Sequence, residues 1–365
     1  MSRIAFYGSS LLSSYWNGAA TYYRGLLRAL AGLGHAITFY EPDVYDRQQH
    51  RDIDPPDWAR VVVYPPTAQA LLDVTAQAAD ADVVVKASGV GFADDVLLER
   101  LLVNSRLDAL MIFWDVDAPA TLAEITPDPH HALRLALPRL DAVFTYGGGA
   151  PVVQTYRRLG AWLCEPIYNG LDPATHHPVP PDPRFQGDLG FLGNRLPDRD
   201  ERVADFFLQP AAMLPQARFL LGGAGWDGVT LPANVARLGH VPTAAHNAFN
   251  TSPRAVMNIN RASMAATGFS PPTRVFEAAG AGACLITDDW PGVDMFLAPG
   301  EEVLVARDGR DVADMLRTLT AEQAAAIGQR ALARVLADHT YDRRAQQVDR
   351  LLGALLAAKR QEMRA

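Results

Sequence analysis

Short apolar runs alternate with stretches of helical periodicity along most of the chain. The runs that we interpret as strands are Ile4–Tyr7, Ile37–Tyr40, Val61–Tyr64, Val83–Val85, Met111–Trp114, Ala142–Tyr146, Asp188–Leu192, Phe219–Leu221, Val235–Leu238, Ala255–Ile259 and Cys284–Thr287. Between the first two runs, apolar side chains from Tyr23 to Leu30 recur at helical spacing. Uninterrupted apolar runs are typical of parallel strands buried on both faces. The pattern therefore predicts an α/β fold with doubly wound parallel sheets.

A proline-rich segment divides this pattern into two halves. Residues 172–183 contain five prolines and few apolar side chains, which is typical of a linker. We therefore expect an N-terminal domain over residues 1–175 and a C-terminal domain over residues 184–340. The apolar stripe that follows, within residues 341–365, predicts a long C-terminal helix.

Composition narrows the class of protein. The chain has 365 residues, of which 49% are hydrophobic and 20% are charged, as expected for a soluble globular protein of two domains. The net charge of -8, without a long basic run, makes an extended nucleic-acid surface unexpected. The N-terminus lacks the apolar core of a signal peptide, and no run reaches the roughly 18 apolar residues that span a bilayer. We expect a cytoplasmic protein with no integral membrane segment.

No residue cluster predicts a metal. The two cysteines, Cys164 and Cys284, lie in separate apolar runs without the spacing of a zinc site. His176 and His177 are adjacent in an extended segment, so their side chains should point apart, and we expect a solvated pair.

The segment from Gly268 to Asp288 has the strongest chemical pattern. Pro271 and Pro272 precede a short helix, glycines follow it, and an apolar strand comes next. Glu277 is the charged residue among small and apolar neighbours in this helix. Its carboxylate is suited to accept hydrogen bonds from sugar or ribose hydroxyls; the alternative is an ordinary solvated glutamate.

Glycine turns followed by arginines predict a diphosphate site in the second half. Gly193, Asn194 and Arg195 follow one strand, and N–H groups and guanidinium groups both bind phosphate oxygens. The turn at Gly223 follows the next strand. For Arg199 and Arg202, an ion-paired helix face is an alternative interpretation.

Two more arginines extend this predicted diphosphate site. Arg261 follows a further strand, and Arg274 lies just before Glu277. Both guanidinium groups are placed to reach the same phosphates.

Two carboxylates mark the first domain. Asp115 and Asp117 follow a predicted strand, a position suited to acid–base work on a hydroxyl group or to binding it. A divalent metal held by the D-x-D pattern is one alternative. The other is that Asp117 caps a turn before Pro119.

The loop after the first strand is a candidate acceptor site. Ser14, Trp16 and Asn17 combine hydrogen-bonding groups with an aromatic ring, which suits a sugar or a similar polar molecule. An ordinary capped turn, with Asn17 starting the following helix, is the alternative.

Together these segments resemble GT-B glycosyltransferases, in particular the bacterial spore-maturation (CgeB-like) branch and the glycosyl transferase group 1 family. The resemblance covers nearly the whole chain and is most specific in residues 188–306. Glu277 matches the family's glutamate for the nucleotide ribose, while Phe269 occupies the position of a second glutamate, so the stereochemistry of transfer stays open. The segment from Asp115 to Leu122 is similar to the family's D-x-D-x-P-x-T-L pattern.

The resemblance implies a fold and an activity. It implies two Rossmann-like domains facing across a cleft, with the C-terminal helix crossing back to the first domain. It also implies that His240 and Val241 hold the nucleotide base through backbone groups. The expected activity is metal-independent transfer of a sugar from a nucleotide-diphosphate sugar, used as substrate without a cofactor, to an unknown hydroxyl acceptor.

Three rival functions stay open at this stage. A sugar-nucleotide epimerase uses the same paired-domain fold, and a non-catalytic sugar- or nucleotide-binding protein would also carry these features. A GT-A enzyme would use the D-x-D pattern for manganese.

Overall fold

The computed structural model describes residues 1–15 and 17–364. The strands are β1 (Arg3–Tyr7), β2 (Ala36–Pro42), β3 (Ala59–Tyr64), β4 (Val83–Ala87), β5 (Leu110–Asp115), β6 (Ala142–Thr145), β7 (Cys164–Pro166), β8 (Leu189–Leu192), β9 (Phe219–Gly222), β10 (Val235–Gly239), β11 (Ala255–Asn258), β12 (Leu285–Asp288) and β13 (Leu304–Ala306). The α-helices are α1 (Ala20–Gly32), α2 (Ala68–Ala76), α3 (Asp94–Asn104), α4 (Ala118–Ile125), α5 (Ala132–Ala136), α6 (Gly149–Arg158), α7 (Asp200–Val203), α8 (Gln209–Met213), α9 (His246–Thr251), α10 (Ala262–Thr267), α11 (Thr273–Gly280), α12 (Gly309–Thr318), α13 (Ala321–Asp338) and α14 (Tyr341–Glu362).

The chain forms two compact units. Unit 1 comprises Met1–Tyr168 together with Tyr341–Ala365, and unit 2 comprises Asn169–Thr340. The proline-rich segment thus lies inside unit 2, and the first boundary falls at residue 168 rather than at 175. The C-terminal helix α14 belongs to unit 1.

Unit 1 is a parallel sheet covered on both faces. Its strand order is β3-β2-β1-β4-β5-β6-β7, so the winding direction reverses between β1 and β4. Helices α2 to α6 pack on one face, where Leu97 and Tyr156 are fully buried. Helices α1 and α14 pack on the other, where Tyr22 and Val348 share one apolar core. Burial on both faces explains why the strands are continuously apolar.

Unit 2 repeats this plan with a shorter sheet. Its order is β10-β9-β8-β11-β12-β13, all parallel, and the winding reverses between β8 and β11. One face is covered by α7, α8, α12 and α13, with Phe207 and Val312 in the core. On the other face Phe249 of α9 packs against Leu192 and Leu220. The strand ends beside each reversal are where ligands bind in such sheets.

Gly280 differs from its expected role. Gly280 and Gly282 are the glycines that the sequence predicts to follow this helix, where left-handed backbone would close it. Gly282 has a φ of 75°, but Gly280 lies in the last helical turn and has no positive φ. A Cβ on Gly280 would approach Leu171 Cδ1 to 2.3 Å, so glycine here serves close packing of the helix.

Among the described residues, no helix is both long enough and apolar enough to cross a membrane.

Candidate functional site

Two glycine turns cross in contact at the carboxyl ends of β8 and β9. A Cβ on Gly223, whose φ is +118°, would lie 2.3 Å from the carbonyl oxygen of Gly193. The N–H of Ala224 donates to Asn194 Oδ1 at 2.9 Å, and Trp226 Nε1 donates to the Gly193 carbonyl at 2.8 Å. The structure therefore brings the predicted residues Gly193, Asn194 and Gly223 together beside the winding reversal.

Two of the predicted phosphate-binding arginines have acidic partners. Arg195 pairs with Asp200 at 2.6 Å, and Arg261 pairs with Asp198 at 2.6 Å. Both guanidinium groups are exposed and border the crossed turns, so each remains accessible to a ligand. Their charge is partly neutralised by these carboxylates.

Arg202 has a structural role. Its guanidinium pairs with Asp288 at 2.5 Å and donates to the Asn260 carbonyl at 3.1 Å. Burial raises the pKa of Asp288, while Arg202 acts in the opposite direction. The ion pair therefore joins α7 to the end of β12, whereas sequence reasoning considered partners on its own helix.

Arg199 lies beside the same turns, although sequence reasoning preferred Arg195 to it. Burial, together with the positive charges of Arg274 and Arg261, lowers the pKa of Arg199 to about 10. The guanidinium still carries its charge at neutral pH, so three arginines concentrate positive charge in one place. Arg199 Nε has no hydrogen-bond acceptor among the described residues. The signal available in the sequence was the position of Arg199 one short turn after the glycine loop.

Helix α11 carries two charged side chains, Arg274 in its first turn and Glu277 in its middle. Pro272 occupies the N-cap position and provides no side-chain cap. Neither Glu277 nor Arg274 forms a side-chain hydrogen bond or ion pair with a described residue. Burial lowers the pKa of Arg274, and the nearby Glu277 carboxylate opposes this change. The N–H groups and Arg274 at the start of α11, and Glu277 about one turn further along, are thus open to a ligand.

His246 completes this group and was missed by sequence reasoning. Its Nε2 lies 3.2 Å from the Val241 carbonyl, so this nitrogen carries the hydrogen. Burial lowers the pKa of His246, and Glu277 and Arg274 influence it in opposite directions. The imidazole is therefore neutral at physiological pH and stands between the turn at Val241 and the Glu277 carboxylate. Its place as the first residue of α9 was the available signal.

The two residues predicted in the turn after β10 differ in exposure. The side chain of Val241 is buried in the core with Phe249, whereas His240 is exposed. Val241 can therefore contact a ligand only through its backbone.

His176 corrects the expectation of a solvated histidine pair. The His176 side chain is buried, and its Nδ1 lies 3.0 Å from Thr175 Oγ1, while His177 is exposed. His176 also lies close enough to His246 to influence its pKa. Adjacent side chains point apart as expected, but one of them points into unit 2.

Phe269 adopts left-handed backbone, which is unusual for an aromatic residue. Its φ is 50°, its N–H donates to the Pro291 carbonyl at 2.7 Å, and its ring packs over Gly292. A Cβ on Gly292 would lie 2.3 Å from the Phe269 ring. The loop before α11 is therefore held in a strained conformation.

Asp115 in unit 1 is fully buried and fully hydrogen-bonded. One carboxylate oxygen accepts from the Asp117 N–H and the Thr121 hydroxyl, each at 3.0 Å, and the other accepts from the Tyr156 hydroxyl at 2.5 Å. Burial raises the pKa of Asp115, and these hydrogen bonds oppose the increase. Asp115 is therefore placed to hold the turn after β5.

Asp117 has the opposite environment. It is exposed at the N-cap position of α4 but makes no capping hydrogen bond through its side chain. Its carboxylate has no hydrogen-bond or ion-pair partner among the described residues. The turn-capping alternative therefore does not describe this side chain, which is open to a ligand.

In the loop after β1, most of the predicted ligand groups are hydrogen-bonded to other residues of the protein. The Ser14 hydroxyl donates to Asp52 at 2.8 Å, and Asp52 also pairs with Arg24. Although burial by itself raises the pKa of Asp52, hydrogen bonds from Arg24 and Ser14 lower it to about 2. Ser14 is exposed, so its hydroxyl oxygen can still accept a hydrogen bond.

Asn17 is buried within the same loop. Its Nδ2 donates to the carbonyls of Ser10 and Ser13 at 2.8 and 3.0 Å, and its Oδ1 accepts from Ser9 at 2.9 Å. Its side chain does not cap α1, which begins at Ala20. Trp16, the third predicted acceptor residue, lies outside the described residues.

Over residues 1–15 and 17–364, no three His, Cys, Asp or Glu side chains group closely enough to hold a metal ion. The D-x-D pattern therefore has no third protein ligand in the described part of the chain.

Comparison with known proteins places these sites on a known fold. Residues 199–350 match the family described as glycosyl transferase-like. No curated protein sequence matches the chain significantly. Sucrose-phosphate synthase from Thermosynechococcus elongatus has a TM-score of 0.69 at 15% identity, covering 98% of this chain and 100% of that chain. Anabaena HepE in complex with UDP and glucose has a TM-score of 0.66 at 14% identity, covering 97% and 100%.

A third structure extends the same likeness. AviGT4, a glycosyltransferase involved in avilamycin A biosynthesis, has a TM-score of 0.59 at 18% identity, covering 98% of both chains. At these identities the likeness establishes the fold. The predicted fold class, GT-B with two doubly wound domains, is confirmed.

Proposed function

We propose that the protein is a glycosyltransferase that moves a sugar from a nucleoside-diphosphate sugar to a hydroxyl acceptor. The observation that carries this proposal is the group on α11, where Arg274 and Glu277, near His246, have no hydrogen-bond or ion-pair partner among the described residues. This group lies within residues 199–350, which match the glycosyl transferase-like family. The family match and the structural likenesses favour glycosyl transfer over epimerisation.

The diphosphate of the donor binds where the positive charge is concentrated. Arg274 and Arg261 lie close enough to Arg199 to lower its pKa, and the uncapped N-terminus of α11 adds N–H donors. Negative charge develops on the leaving diphosphate during transfer. Fixed guanidinium groups and helix N–H groups stabilise that charge without a metal ion.

The nucleoside half of the donor binds beside these phosphates. Glu277 accepts hydrogen bonds from ribose hydroxyls, and the backbone of His240 and Val241 contacts the base. His246 fixes the Val241 carbonyl by donating to it. Because the HepE structure holds UDP and glucose, we propose a uridine nucleotide as the first donor to test.

The acceptor hydroxyl is served by unit 1. Asp117 is the carboxylate open to a ligand, so it orients the hydroxyl or takes its proton. Asp115 positions Asp117 by accepting its backbone N–H. Ser14, in the loop after β1, offers a further contact.

Two finer assignments accompany this proposal. The D-x-D-x-P-x-T-L pattern supports membership of the bacterial spore-maturation branch, and a cytoplasmic location is the second part of the proposal.

Nucleotide binding tests the donor half directly. Titrating UDP, GDP and dTDP by calorimetry with and without manganese should give binding to one nucleotide that does not require the metal. Glu277→Gln should weaken that binding about 10- to 100-fold, because a hydrogen bond to a charged group contributes about 1.5–3 kcal/mol. Glu301→Gln, an exposed glutamate of unit 2, is the matched control and should leave the affinity unchanged.

Turnover completes the test. With the bound nucleotide's sugar conjugate, the enzyme should release nucleotide slowly in water and faster with an acceptor. Absence of nucleotide binding, or equal affinity in Glu277→Gln, would overturn the proposal.

A further inference from the structure

A cavity within unit 1 has no role in the donor chemistry. It has a volume of about 490 Å³ and lies at the carboxyl ends of β4 and β5, beneath the starts of α3 and α5 and beside α4. Its polar lining includes Lys86, Asp95, Thr121, Glu124 and His131. Binding pockets for small molecules have volumes of about 300–1,000 Å³, so the cavity has the size of a ligand site.

Lys86 is the buried charge in the wall of this cavity. Its side chain is 6% exposed, and its Nζ contacts Asp94 Oδ1 at 2.5 Å and lies 5.6 Å from the centre of the Phe113 ring. An ammonium group carries three N–H donors. Asp94 is the one hydrogen-bond acceptor that the described residues provide, so two donors remain for a molecule in the cavity.

The local fold does not require this lysine. Asp94 already closes the loop before α3 by accepting from the N–H groups of Val90 and Gly91, at 3.1 and 2.9 Å. Burying an ion pair gains little over an apolar side chain of similar size. A lysine with unused donors beside a cavity is therefore better explained by a ligand than by stability.

The remaining lining defines the chemistry of that ligand. Asp95 and Glu124 are exposed acceptors at the rim, and His131 Nε2 lies 3.4 Å from Glu124. His131 Nδ1 accepts from the Leu133 N–H, so in the neutral ring Nε2 carries the hydrogen. The cavity therefore offers both donors, on Lys86, and acceptors, on Asp95 and Glu124, which suits hydroxyl groups because each hydroxyl both donates and accepts.

The charged side chains that line the cavity disfavour anionic ligands. The Lys86 ammonium is balanced by Asp94, which leaves the two rim carboxylates to repel an anion. A carboxylate or phosphate ligand is therefore disfavoured relative to a neutral polyol.

The cavity adjoins the turn that carries Asp117. Thr121 lines the cavity, and its hydroxyl donates to Asp115 Oδ1 at 3.0 Å and lies 3.2 Å from the Asp117 carbonyl oxygen. The wall of the cavity thus includes a residue that is hydrogen-bonded to the backbone of Asp117.

We propose that this cavity binds the acceptor and that the acceptor is a neutral, polyhydroxylated molecule of the sugar class, anchored by Lys86. This inference rests on the proposed function, in which Asp117 serves the acceptor hydroxyl. Lys86 binds one hydroxyl oxygen, and Asp95 and Glu124 accept from others.

Sugar binding to the full-length protein tests this proposal. The probes are the methyl glycosides of glucose, galactose and mannose, with sodium glucuronate as the anionic counterpart, measured by saturation-transfer NMR with UDP present. At least one neutral glycoside should bind more tightly than glucuronate. Lys86→Met should weaken the affinity for that neutral glycoside at least tenfold. Glu124→Gln and Asp95→Asn should each weaken it about threefold and should bring the affinities for the glycoside and for glucuronate closer together.

The controls separate binding from folding. Glu99→Gln changes an exposed glutamate on α3 outside the cavity and should leave glycoside affinity unchanged. If Lys86→Met does not fold, the exposed rim variants provide the same test. No binding by any of the three neutral glycosides, or unchanged affinity in the cavity variants, would overturn the acceptor site.

UDP affinity distinguishes this failure from failure of the proposed function. Normal UDP binding without glycoside binding refutes the proposal that this cavity binds the acceptor, and it leaves the proposed function standing. Glycoside binding that depends on Lys86, without binding of any nucleotide, refutes the donor assignment and leaves the cavity as a sugar site.

Discussion

Two aspartates that are two residues apart have opposite physical states. Asp115 ends strand β5 and points into the protein, where three described donors reach its carboxylate. Asp117 lies beyond the strand, is exposed, and keeps its carboxylate open. The same chemical group thus serves as a structural anchor at one position and as a candidate acid–base group at the other.

Replacing each aspartate by asparagine should separate these roles. Asp117→Asn should reduce sugar transfer at least 100-fold, within the range that general acid–base groups contribute, and leave the unfolding free energy within about 0.5 kcal/mol. Asp115→Asn should destabilise the protein by about 1–3 kcal/mol, because a buried amide cannot satisfy all of the donors. Turnover and urea unfolding measured on both variants check this. Equal stability of the two variants would contradict it.

At the scale of elements, the crossed turns after β8 and β9 depend on one glycine. Gly223→Ala should destabilise unit 2 by about 1–3 kcal/mol and weaken nucleotide binding, because the left-handed backbone and the contact with the Gly193 carbonyl both exclude a Cβ. Gly228→Ala is the matched control, since a Cβ there meets nothing within 4 Å. Denaturation and UDP titration measure both effects. If the two variants behave alike, the crossing does not shape the site.

The loop after β1 is held by carboxylates from outside it. Glu41, at the end of β2, is fully buried and accepts from the Ser10 hydroxyl at 2.9 Å and the Leu11 N–H at 2.5 Å. Asp52 accepts from Ser14 and pairs with Arg24. The loop is therefore shaped before any ligand arrives.

The contribution of Asp52 should depend on pH. Its pKa is about 2 in the folded protein, against an ordinary value of 3.8, so the ionised form is favoured by folding. The stabilisation is present above pH 3.8 and is lost as the pH falls through about 2. Because the Asp52 side chain is 43% exposed, we expect it to contribute no more than about 1 kcal/mol to the free energy of unfolding. The free energies of unfolding of the wild type and Asp52→Asn, measured in urea, should differ at pH 6 and converge toward pH 2. A difference that stays constant with pH would refute this prediction.

At the scale of the whole molecule, unit 1 is assembled from both ends of the chain. Helix α14 packs Val348, Leu352, Leu355 and Leu356 into the apolar core of the first domain. The stability of unit 1 therefore depends on residues that follow all of unit 2 in the chain.

Leu352→Ala should reveal this dependence. The side chain is 2% exposed, so its truncation should cost about 2–5 kcal/mol, while UDP binding to unit 2 keeps its affinity. Leu336→Ala, at an exposed helical position, is the control and should change stability by less than about 0.5 kcal/mol. Thermal unfolding together with UDP titration measures both. A loss of UDP affinity equal to the loss of stability would contradict the assignment of α14 to unit 1.

The sequence by itself determined the fold class and the placement of the main turns. Buried parallel strands are continuously apolar, and their ends coincide with glycines and polar residues, so both signals are local in the chain. For that reason the sequence placed Gly193 and Gly223 after strands and Glu277 within a short helix, and these positions agree with the structure. The lining of the Lys86 cavity had no local signal, since its residues come from separate strands and helices.

Only the tertiary structure decided which charges are free. Arg195 is paired with Asp200 and Arg202 with the distant Asp288, whereas Arg274 and Glu277 are left open to a ligand. Whether a charge is paired depends on side chains that folding brings together from distant parts of the chain. Residue type and spacing therefore identify candidates, and burial and neighbours determine which of them act on a ligand.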